Sequence, residues 1–200
     1  MTPEGKRDRA RLQAALRSRG EIWIAAEACL PAVVGLAADC RRALATGGQI
    51  LFCGNGGSAS QADHLAAELV GRYATERRAL AGRALSDAGA TLTAIGNDYG
   101  YDAVFARQVE AAARRGDVLI ALSTSGRSPN IRRALEAGRK AGCVTALFTG
   151  GADPATLPPV DHLIAIPSTD TPAVQELHLF FGHLLCEILE ADVGGGSEDA

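Results

Sequence analysis

Aromatic side chains are scarce in this sequence. Five Phe, three Tyr and one Trp give an aromatic content of 4% over 200 residues. Proteins that bind single-stranded nucleic acid stack bases on aromatic rings, so this scarcity argues against a stacking platform. Positive charge is not in excess either, because 20 Lys and Arg stand against 23 Asp and Glu. The net charge of −3 and the scattered basic residues argue against nucleic-acid binding through bulk electrostatics.

Paired cysteines and a targeting segment are also missing. No two of the five cysteines form a C-x-x-C pair, which argues against a zinc ribbon. Their odd number and wide spacing are typical of reduced thiols buried as small apolar side chains. The N-terminal residues MTPEGKRDRARLQ contain no apolar signal region, and we expect no apolar run of membrane-spanning length. The sequence thus predicts a soluble, cytoplasmic protein that binds neither nucleic acid nor a membrane.

The sequence does contain enough apolar residues for one core. Hydrophobic residues make up 47% of the chain, close to the globular average. Two hundred residues suit one domain with an extension. We expect a single domain over residues 1–192, with a helical extension over about residues 5–46 and a flexible tail over 193–200.

Short apolar runs alternate with helical segments along the chain. Strands are expected at 49–53, 117–123, 144–149 and 162–167, with a weaker candidate at 79–87. Helices are expected at 6–46 (broken near Gly20 or Pro31), 59–73, 101–115, 128–141 and 171–190; residues 90–97 fit either state, and 54–58 and 150–159 fit turns or loops. This alternation predicts an α/β fold in which helices cover both faces of a parallel sheet. Helices outside that core are expected to pack between subunits.

A glycine-rich loop follows the first predicted strand. Asn55-Gly56-Gly57-Ser58 lies between that strand and a helix. Ligands of open parallel sheets bind at the carboxyl ends of strands, and the free N–H groups of a helix N-terminus attract anions. A tight turn with Ser58 as helix cap explains the same residues. The loop is neither G-x-G-x-x-G nor a P-loop, which argues against a dinucleotide or ATP.

A second polar loop runs from Ser123 through Thr124, Ser125, Gly126 and Arg127 to Ser128. It too follows a strand and precedes a helix. Four hydroxyl groups together with backbone N–H groups can hold a phosphate without a lysine. A polar loop that caps a helix is the alternative, and two such loops in one sheet favour the phosphate.

His64 and Glu68 share one face of the helix that starts at the glycine loop, because residues four apart are neighbours on a helix. An isolated pair of this kind is usually a weak surface contact. Here its position beside a ligand loop favours metal binding or proton transfer. Arg72, four residues beyond Glu68, suits a salt bridge to that carboxylate.

The last predicted helix carries Gln175, His178 and His183. Gln175 and His183 lie about 12 Å apart along a helix axis, so helix geometry alone does not pair them. We expect His178 in the core or behind the site, and His162, which begins a strand, in a structural role. Asn97 and Asp98 are expected in a loop before a helix, as a ligand contact or a turn with its cap.

Taken together, the motifs resemble a known family. CGNGGS, the D-H-x-x-x-E helix, TAIGNDYG, STSGRSPN and QELHLFFGH occur here in the order and spacing of the phosphoheptose isomerases, also called sedoheptulose-7-phosphate isomerases. These belong to the sugar isomerase (SIS) domain superfamily. The resemblance covers about residues 49–190. The STSG-type loop alone indicates only an SIS domain, whereas His64 and Glu68 with Gln175 and His183 are much more specific.

The resemblance implies a fold, an assembly and a reaction. The fold is a three-layer α/β sandwich with a five-stranded parallel sheet of flavodoxin-like topology, assembled as a homotetramer with sites at subunit interfaces. The reaction converts D-sedoheptulose 7-phosphate to D-glycero-D-manno-heptose 7-phosphate through an enediol, the first step towards activated heptoses.

The resemblance also implies site residues. Glu68 and His183 match the proposed acid/base pair, and His64, Glu68, Gln175 and His183 match a site for one zinc ion per subunit. The remaining matches are substrate contacts: Asn55, Gly56, Gly57, Glu68, Arg72, Asn97, Asp98 and Gln175 for the sugar, and Ser123, Thr124, Ser125 and Ser128 for the phosphate.

Some positions depart from the family pattern, and rival functions stay open. Pro172 replaces an aspartate often found three residues before the glutamine, with Asp170 nearby, and Arg127 falls where the family varies. One rival is a non-catalytic SIS regulator that binds the bacterial replication initiator as a tetramer; it lacks the glutamate that is present here as Glu68. Another is a different SIS enzyme, such as a hexulose-phosphate isomerase.

Overall fold

A five-stranded parallel sheet forms the centre of the molecule. The computed structural model describes residues 1–194. The strands are β1 (Ile50–Gly54), β2 (Gly82–Ala84), β3 (Val118–Leu122), β4 (Val144–Thr149) and β5 (His162–Ala165). Their order across the sheet is β2-β1-β3-β4-β5, and every pairing is parallel. This is the flavodoxin-like order, in which the chain reverses direction across the sheet between β1 and β3.

The described residues also form seven helices, of which the first lies outside the layers that cover the sheet. They are α1 (Pro3–Ala25), α2 (Leu30–Ala45), α3 (Gly57–Val70), α4 (Gly89–Tyr99), α5 (Ala106–Ala112), α6 (Pro129–Ala141) and α7 (Thr171–Gly194). Alternate strand residues face opposite sides, since the side-chain period of a strand is two. Ile50 and Phe52 pack with α2, α3 and α7, whereas Leu51 and Cys53 pack with α5 and α6. The predicted three-layer α/β sandwich is confirmed.

The N-terminal helical region is interrupted at one place. Residues 26–29 form a 3₁₀ turn between α1 and α2, and Pro31 occupies the first turn of α2, where its missing N–H costs nothing. The break expected near Pro31 is confirmed, whereas Gly20 lies inside α1.

Several boundaries differ from the sequence prediction. The helix expected over 101–115 is present but shorter: a 3₁₀ turn at Tyr101–Ala103 precedes α5, and Ala113 is already extended. Residues 90–97 are helical, so Asn97 and Asp98 lie in the last turns of α4 and not in a loop.

The helix expected over 59–73 starts at Gly57 and ends at Val70. The weak strand at 79–87 shrinks to three residues. Val193 and Gly194 continue α7, and the rest of the expected tail lies outside the described residues.

One stretch is more apolar than we expected. An 18-residue window within Pro3–Ala45 has a mean hydropathy of 1.6, which by length and composition would suffice for a membrane span. The expectation that no apolar run reaches that length is therefore wrong on this measure. It is weak evidence for a membrane, because core helices of soluble proteins reach the same value.

Candidate active site

The glycine loop forms a tight turn between β1 and α3. Gly56 has φ 55° and ψ −120°, a conformation that glycine adopts without strain. This residue caps α3, so the alternative in which Ser58 caps the helix is wrong. Ser58 is instead buried in the first turn of α3. The N-terminus of α3 therefore lies at the carboxyl end of β1, as the sequence predicts.

The amide of Asn55 is held in place by a neighbouring amide. Asn55 and Asn130 exchange two hydrogen bonds of 2.9 and 2.8 Å, and the Tyr101 hydroxyl donates to Asn55 Oδ1 at 3.0 Å. Asn130 lies at the start of α6 and is buried. Two amides that satisfy each other, one of them buried, fix both orientations. The polar edge of Asn55 is thus fixed before any ligand binds.

The polar loop after β3 meets the glycine loop at the reversal point of the sheet. Together they enclose a cavity of about 80 Å³, lined by Asn55, Ser58, Leu122, Ser123, Thr124, Ser125, Ser128 and Gln175. Six of these residues were predicted as ligand contacts. Gln175 reaches in from α7, and a Cβ atom on Gly57 would lie only 2.8 Å from its Nε2 atom. The absence of a side chain at Gly57 therefore makes room for the Gln175 amide.

Three ionisable side chains meet where α3 passes α7. The Nε2 atoms of His64 and His183 lie 2.8 Å apart, and His64 Nε2 lies 3.3 Å from Glu68 Oε1. The side chains of His64 and Glu68 are 43% and 20% exposed, so solutes reach them. His183 is partly buried. The helix spacing of His64 and Glu68 is confirmed, and the fold adds His183.

Close helix packing makes this meeting possible. Gly182 precedes His183, and a Cβ atom on it would lie 2.6 Å from both methyl groups of Leu65, which follows His64. The two helices therefore approach at residues that adjoin the two histidines. A larger residue at 182 would push α7 away from α3 and separate the imidazoles.

The donor set suits a divalent metal ion. One ligand atom each from His64, Glu68 and His183 lies within 4.8 Å of the others. Two imidazole nitrogens and a carboxylate oxygen are ligands that zinc takes in catalytic sites, where two donors around one tetrahedral ion lie roughly 3.4 Å apart. The residues present therefore fit the group that the resemblance implies. Gln175 lies two turns before His183 on the same helix and faces the cavity.

The histidines of α7 are held neutral by their surroundings. Burial lowers the pKa of His183, the nearby charge of His64 lowers it further, and Glu68 opposes both. Burial also lowers the pKa of His178 to about 4, against a smaller opposing effect of the Thr149 backbone. His178 is fully buried and packs edge-on against Phe148. Of its two expected places, the core is confirmed. A neutral imidazole at position 183 can ligate a metal or accept a proton.

Other predicted residues lie apart from the cavity. Arg72 is exposed beyond the end of α3, and in residues 1–194 no ion pair joins it to Glu68. The expected salt bridge is therefore wrong, because the helical spacing it needed ends at Val70. Asn97 and Asp98 are exposed and hydrogen bonded to each other at 2.8 Å. His162 bonds to Asp39 at 2.7 Å, as suits a structural role.

Sequence reasoning missed several residues that support the site. Asn130 fixes Asn55, and Gln61 donates to the backbone oxygen of Gln175 at 2.7 Å. The Tyr73 ring lies 5.5 Å from that of His183. Asn130 was within reach of the sequence, since it follows Pro129 at the end of the second polar loop. The contacts of Gln61 and Tyr73 depend on how α3 crosses α7, which no local pattern reveals.

Comparison with known proteins identifies the class first. Residues 25–150 match the SIS domain family. This range includes both ligand loops, the helix that carries His64 and Glu68, and four of the five strands. The chain therefore belongs to the SIS domain family.

The particular family follows from individual relatives. A phosphoheptose isomerase of Rhodospirillum rubrum is 46% identical over 179 residues, which are 90% of this chain and 95% of the relative. A phosphoheptose isomerase structure from Neisseria gonorrhoeae is 36% identical with a TM-score of 0.83, covering 92% of this chain and 98% of that one. Another, from Francisella tularensis, is 31% identical with a TM-score of 0.87, covering 96% and 100%. Within the SIS domain proteins the chain belongs to the phosphoheptose isomerases, a family of enzymes.

Proposed function

We propose that this enzyme converts D-sedoheptulose 7-phosphate to D-glycero-D-manno-heptose 7-phosphate, the first step towards activated heptoses. The observation that carries the proposal is the meeting of His64 and Glu68 of α3 with His183 of α7, close to the polar cavity that the N-terminus of α3 helps to form. A phosphate cradle in the β3–α6 loop, close to a proton-transfer site on α3 and α7, suits a phosphorylated sugar that is isomerised at its far end.

The cradle holds the phosphate and fixes the geometry of the sugar. Hydroxyls of Ser123, Thr124, Ser125 and Ser128, with backbone N–H groups at the start of α6, donate to the phosphate oxygens. Asn55 and the backbone of Gly56 and Gly57 bind sugar hydroxyls, and Gln175 reaches the same space from α7. Arg72, Asn97 and Asp98 lie on exposed segments and complete the sugar contacts. Fixing the phosphate end of the sugar aligns its other end with the acid/base pair.

Glu68 and His183 carry the proton transfers. A base removes a proton from C1 of the ketose, the electrons form the C1–C2 double bond of an enediol, and the C2 oxygen gains a proton. Returning a proton to C2 while the C1 oxygen loses its own yields the aldose. A partly buried carboxylate and a neutral imidazole with ligand atoms within 4.8 Å of each other fill these two roles.

His64, Glu68, Gln175 and His183 would hold one zinc ion per subunit. A bound zinc ion polarises the sugar carbonyl and stabilises negative charge on the enediol oxygen. The two imidazoles and the carboxylate are already gathered, and Gln175, on the same helix as His183, would supply the fourth donor.

A cytoplasmic homotetramer with sites at subunit interfaces completes the proposal. The 80 Å³ cavity is smaller than typical ligand pockets, which measure about 300–1,000 Å³, so further walls are needed to enclose a seven-carbon sugar phosphate. Helix α1 buries none of its side chains, and Leu12, Leu16 and Ile24 are more than two-thirds exposed. Contact with a second copy of the chain would cover them and bring new residues towards the site.

The experiment is an isomerase assay on sedoheptulose 7-phosphate, with and without a chelator, on wild type and His183→Ala. We expect activity that is lost on chelation, restored by zinc and absent in the variant. An inactive wild type with zinc supplied would favour the rival SIS regulator, and preference for a hexulose phosphate would favour the other SIS enzymes.

A further inference from the structure

The segment that follows α3 carries a buried arginine. Residues 71–81 contain no helix or strand, yet the side chain of Arg77 is 0% exposed. Its Nη2 atom donates to the carbonyl of Glu68 at 2.6 Å, and Nη1 donates to the carbonyls of Leu69 at 2.9 Å and Gly71 at 3.0 Å. The last carbonyls of a helix have no partner within it and carry partial negative charge. Arg77 therefore caps the helix turn that contains Glu68.

The counterion of Arg77 comes from α7. Glu190, whose side chain is 5% exposed, lies two turns after His183, and its Oε2 atom is 3.4 Å from Arg77 Nε. The same carboxylate accepts hydrogen bonds from the backbone N–H groups of Tyr73, Ala74 and Thr75 at 2.9, 2.8 and 2.6 Å. Burial raises the pKa of Glu190, but these N–H donors outweigh it and bring the pKa to about 2. The carboxylate is thus ionised wherever the protein is folded near neutral pH.

These contacts join the two helices that carry the acid/base pair. Arg77 holds the main chain at Glu68, and Glu190 holds the main chain at Tyr73, whose ring lies 5.5 Å from the ring of His183. We propose that Arg77 and Glu190 are positioning residues, which fix α3 against α7 so that Glu68 meets His183 and the Tyr73 ring supports the imidazole. The inference rests on the proposed roles of Glu68 and His183.

A purely structural role predicts something different. A buried ion pair contributes little net stability compared with apolar residues of the same shape, whereas removing one partner leaves the other charged and uncompensated. Loss of stability alone therefore cannot separate the two roles. A change in turnover that spares phosphate binding can, because the cradle is built from the β3–α6 loop and does not contact Arg77 or Glu190.

The test compares Arg77→Lys and Glu190→Gln with neighbouring controls. Arg78→Lys and Asp192→Asn make the corresponding changes at nearby charged residues; Arg78 is exposed, and Asp192 pairs with the exposed Arg41 on α2. Activity on sedoheptulose 7-phosphate is measured with zinc supplied, at a temperature well below each variant's own Tm. Zinc affinity is measured separately by titration. We expect kcat to fall about tenfold or more in both variants, with KM within about threefold and zinc bound more weakly, and the controls to match wild type.

Two outcomes would overturn the inference. One is that the variants melt at lower temperature but keep wild-type kcat and zinc affinity, which would make the pair structural only. The other is that KM and kcat change equally in the variants and in the controls. Arg77→Lys keeps the charge, so it supplies the comparison if Glu190→Gln does not fold. Glu68→Gln in the same assay separates this inference from the proposed function. If Glu68→Gln is active, the proposed site itself is refuted. If Glu68→Gln is inactive while the Arg77 and Glu190 variants behave as wild type, only the positioning role is refuted.

Discussion

His64 and His183 bring their Nε2 atoms within 2.8 Å of each other although 119 residues separate them in the chain. One lies in the second turn of α3 and the other in the middle of α7. Nothing local to either helix specifies this contact. It depends on the close approach of Gly182 to Leu65, the residues next to the two histidines.

We predict that Gly182→Ala weakens both folding and the site. The new methyl group would lie 2.6 Å from the buried side chain of Leu65, and overpacking of this kind costs about 1–3 kcal/mol, partly offset by the better helix propensity of alanine. Thermal melting and zinc titration measure the two effects.

Gly138→Ala is the matched control for that substitution. Gly138 also lies in a helix, and its methyl group would lie 2.8 Å from a methyl of Leu119, on the other face of the sheet. It should lower Tm to a similar extent and leave zinc affinity unchanged. Equal loss of zinc affinity in both variants would argue against helix approach as the determinant of the site.

Asn130 should act entirely through Asn55. We predict that Asn130→Ala raises KM about tenfold, because Asn55 loses the partner that fixes its amide. In a double-mutant cycle, the Asn55→Ala, Asn130→Ala double variant should bind substrate no worse than Asn55→Ala alone. Additive losses would show that Asn130 has a separate role.

The phosphate cradle should govern binding more than chemistry. Ser123→Ala with Ser125→Ala removes two hydroxyls that line the cavity, and hydrogen bonds to a charged group are each worth about 1.5–3 kcal/mol. We therefore expect KM to rise tenfold or more while kcat stays within about threefold. Ser18→Ala, on the exposed helix α1, serves as the control. An unchanged KM would mean that the phosphate binds elsewhere.

His178 should make the fold sensitive to acid. Its pKa of about 4 lies below the ordinary 6.5, so between these values the unfolded chain binds a proton that the folded chain does not, and stability falls as pH falls through this window. Between pH 7 and pH 5 the loss is about 2 kcal/mol from this group. Denaturant unfolding of wild type and His178→Leu at the two pH values measures it. The variant should lose less stability than wild type, and an equal loss would exclude His178 as the cause.

The sheet was predictable because its central strands are continuous apolar runs. The three central strands are buried on both faces: Ile50–Gly54, Val118–Leu122 and Val144–Thr149. Burial on both faces produces an uninterrupted apolar run, which can be recognised in the sequence without knowledge of the tertiary structure. Edge strand β2 is shorter than expected, and Gly82 is required there because Leu69 Cβ would lie 2.8 Å from a side chain at that position. That constraint arises from packing against α3 and leaves no pattern in the strand itself.

The candidate site was predictable only in part. Helix spacing alone pairs His64 with Glu68, and strand–loop–helix patterns locate both polar loops. The link from His64 to His183 came from family resemblance, since the helix crossing that creates it is a tertiary feature. Arg77 follows Glu76 and precedes Arg78, so its sequence neighbourhood is typical of a solvated loop, and only the fold shows that its side chain is buried.

The most direct test of the account is kcat for sedoheptulose 7-phosphate in Glu68→Gln, with zinc supplied and Glu110→Gln on the exposed face of α5 as control. General acid–base catalysis contributes about 10²–10⁴-fold, so we predict a loss of that size in Glu68→Gln and wild-type turnover in the control. Wild-type turnover in a folded Glu68→Gln enzyme would contradict the account, because the reaction would then proceed without the carboxylate that the fold brings to His64 and His183.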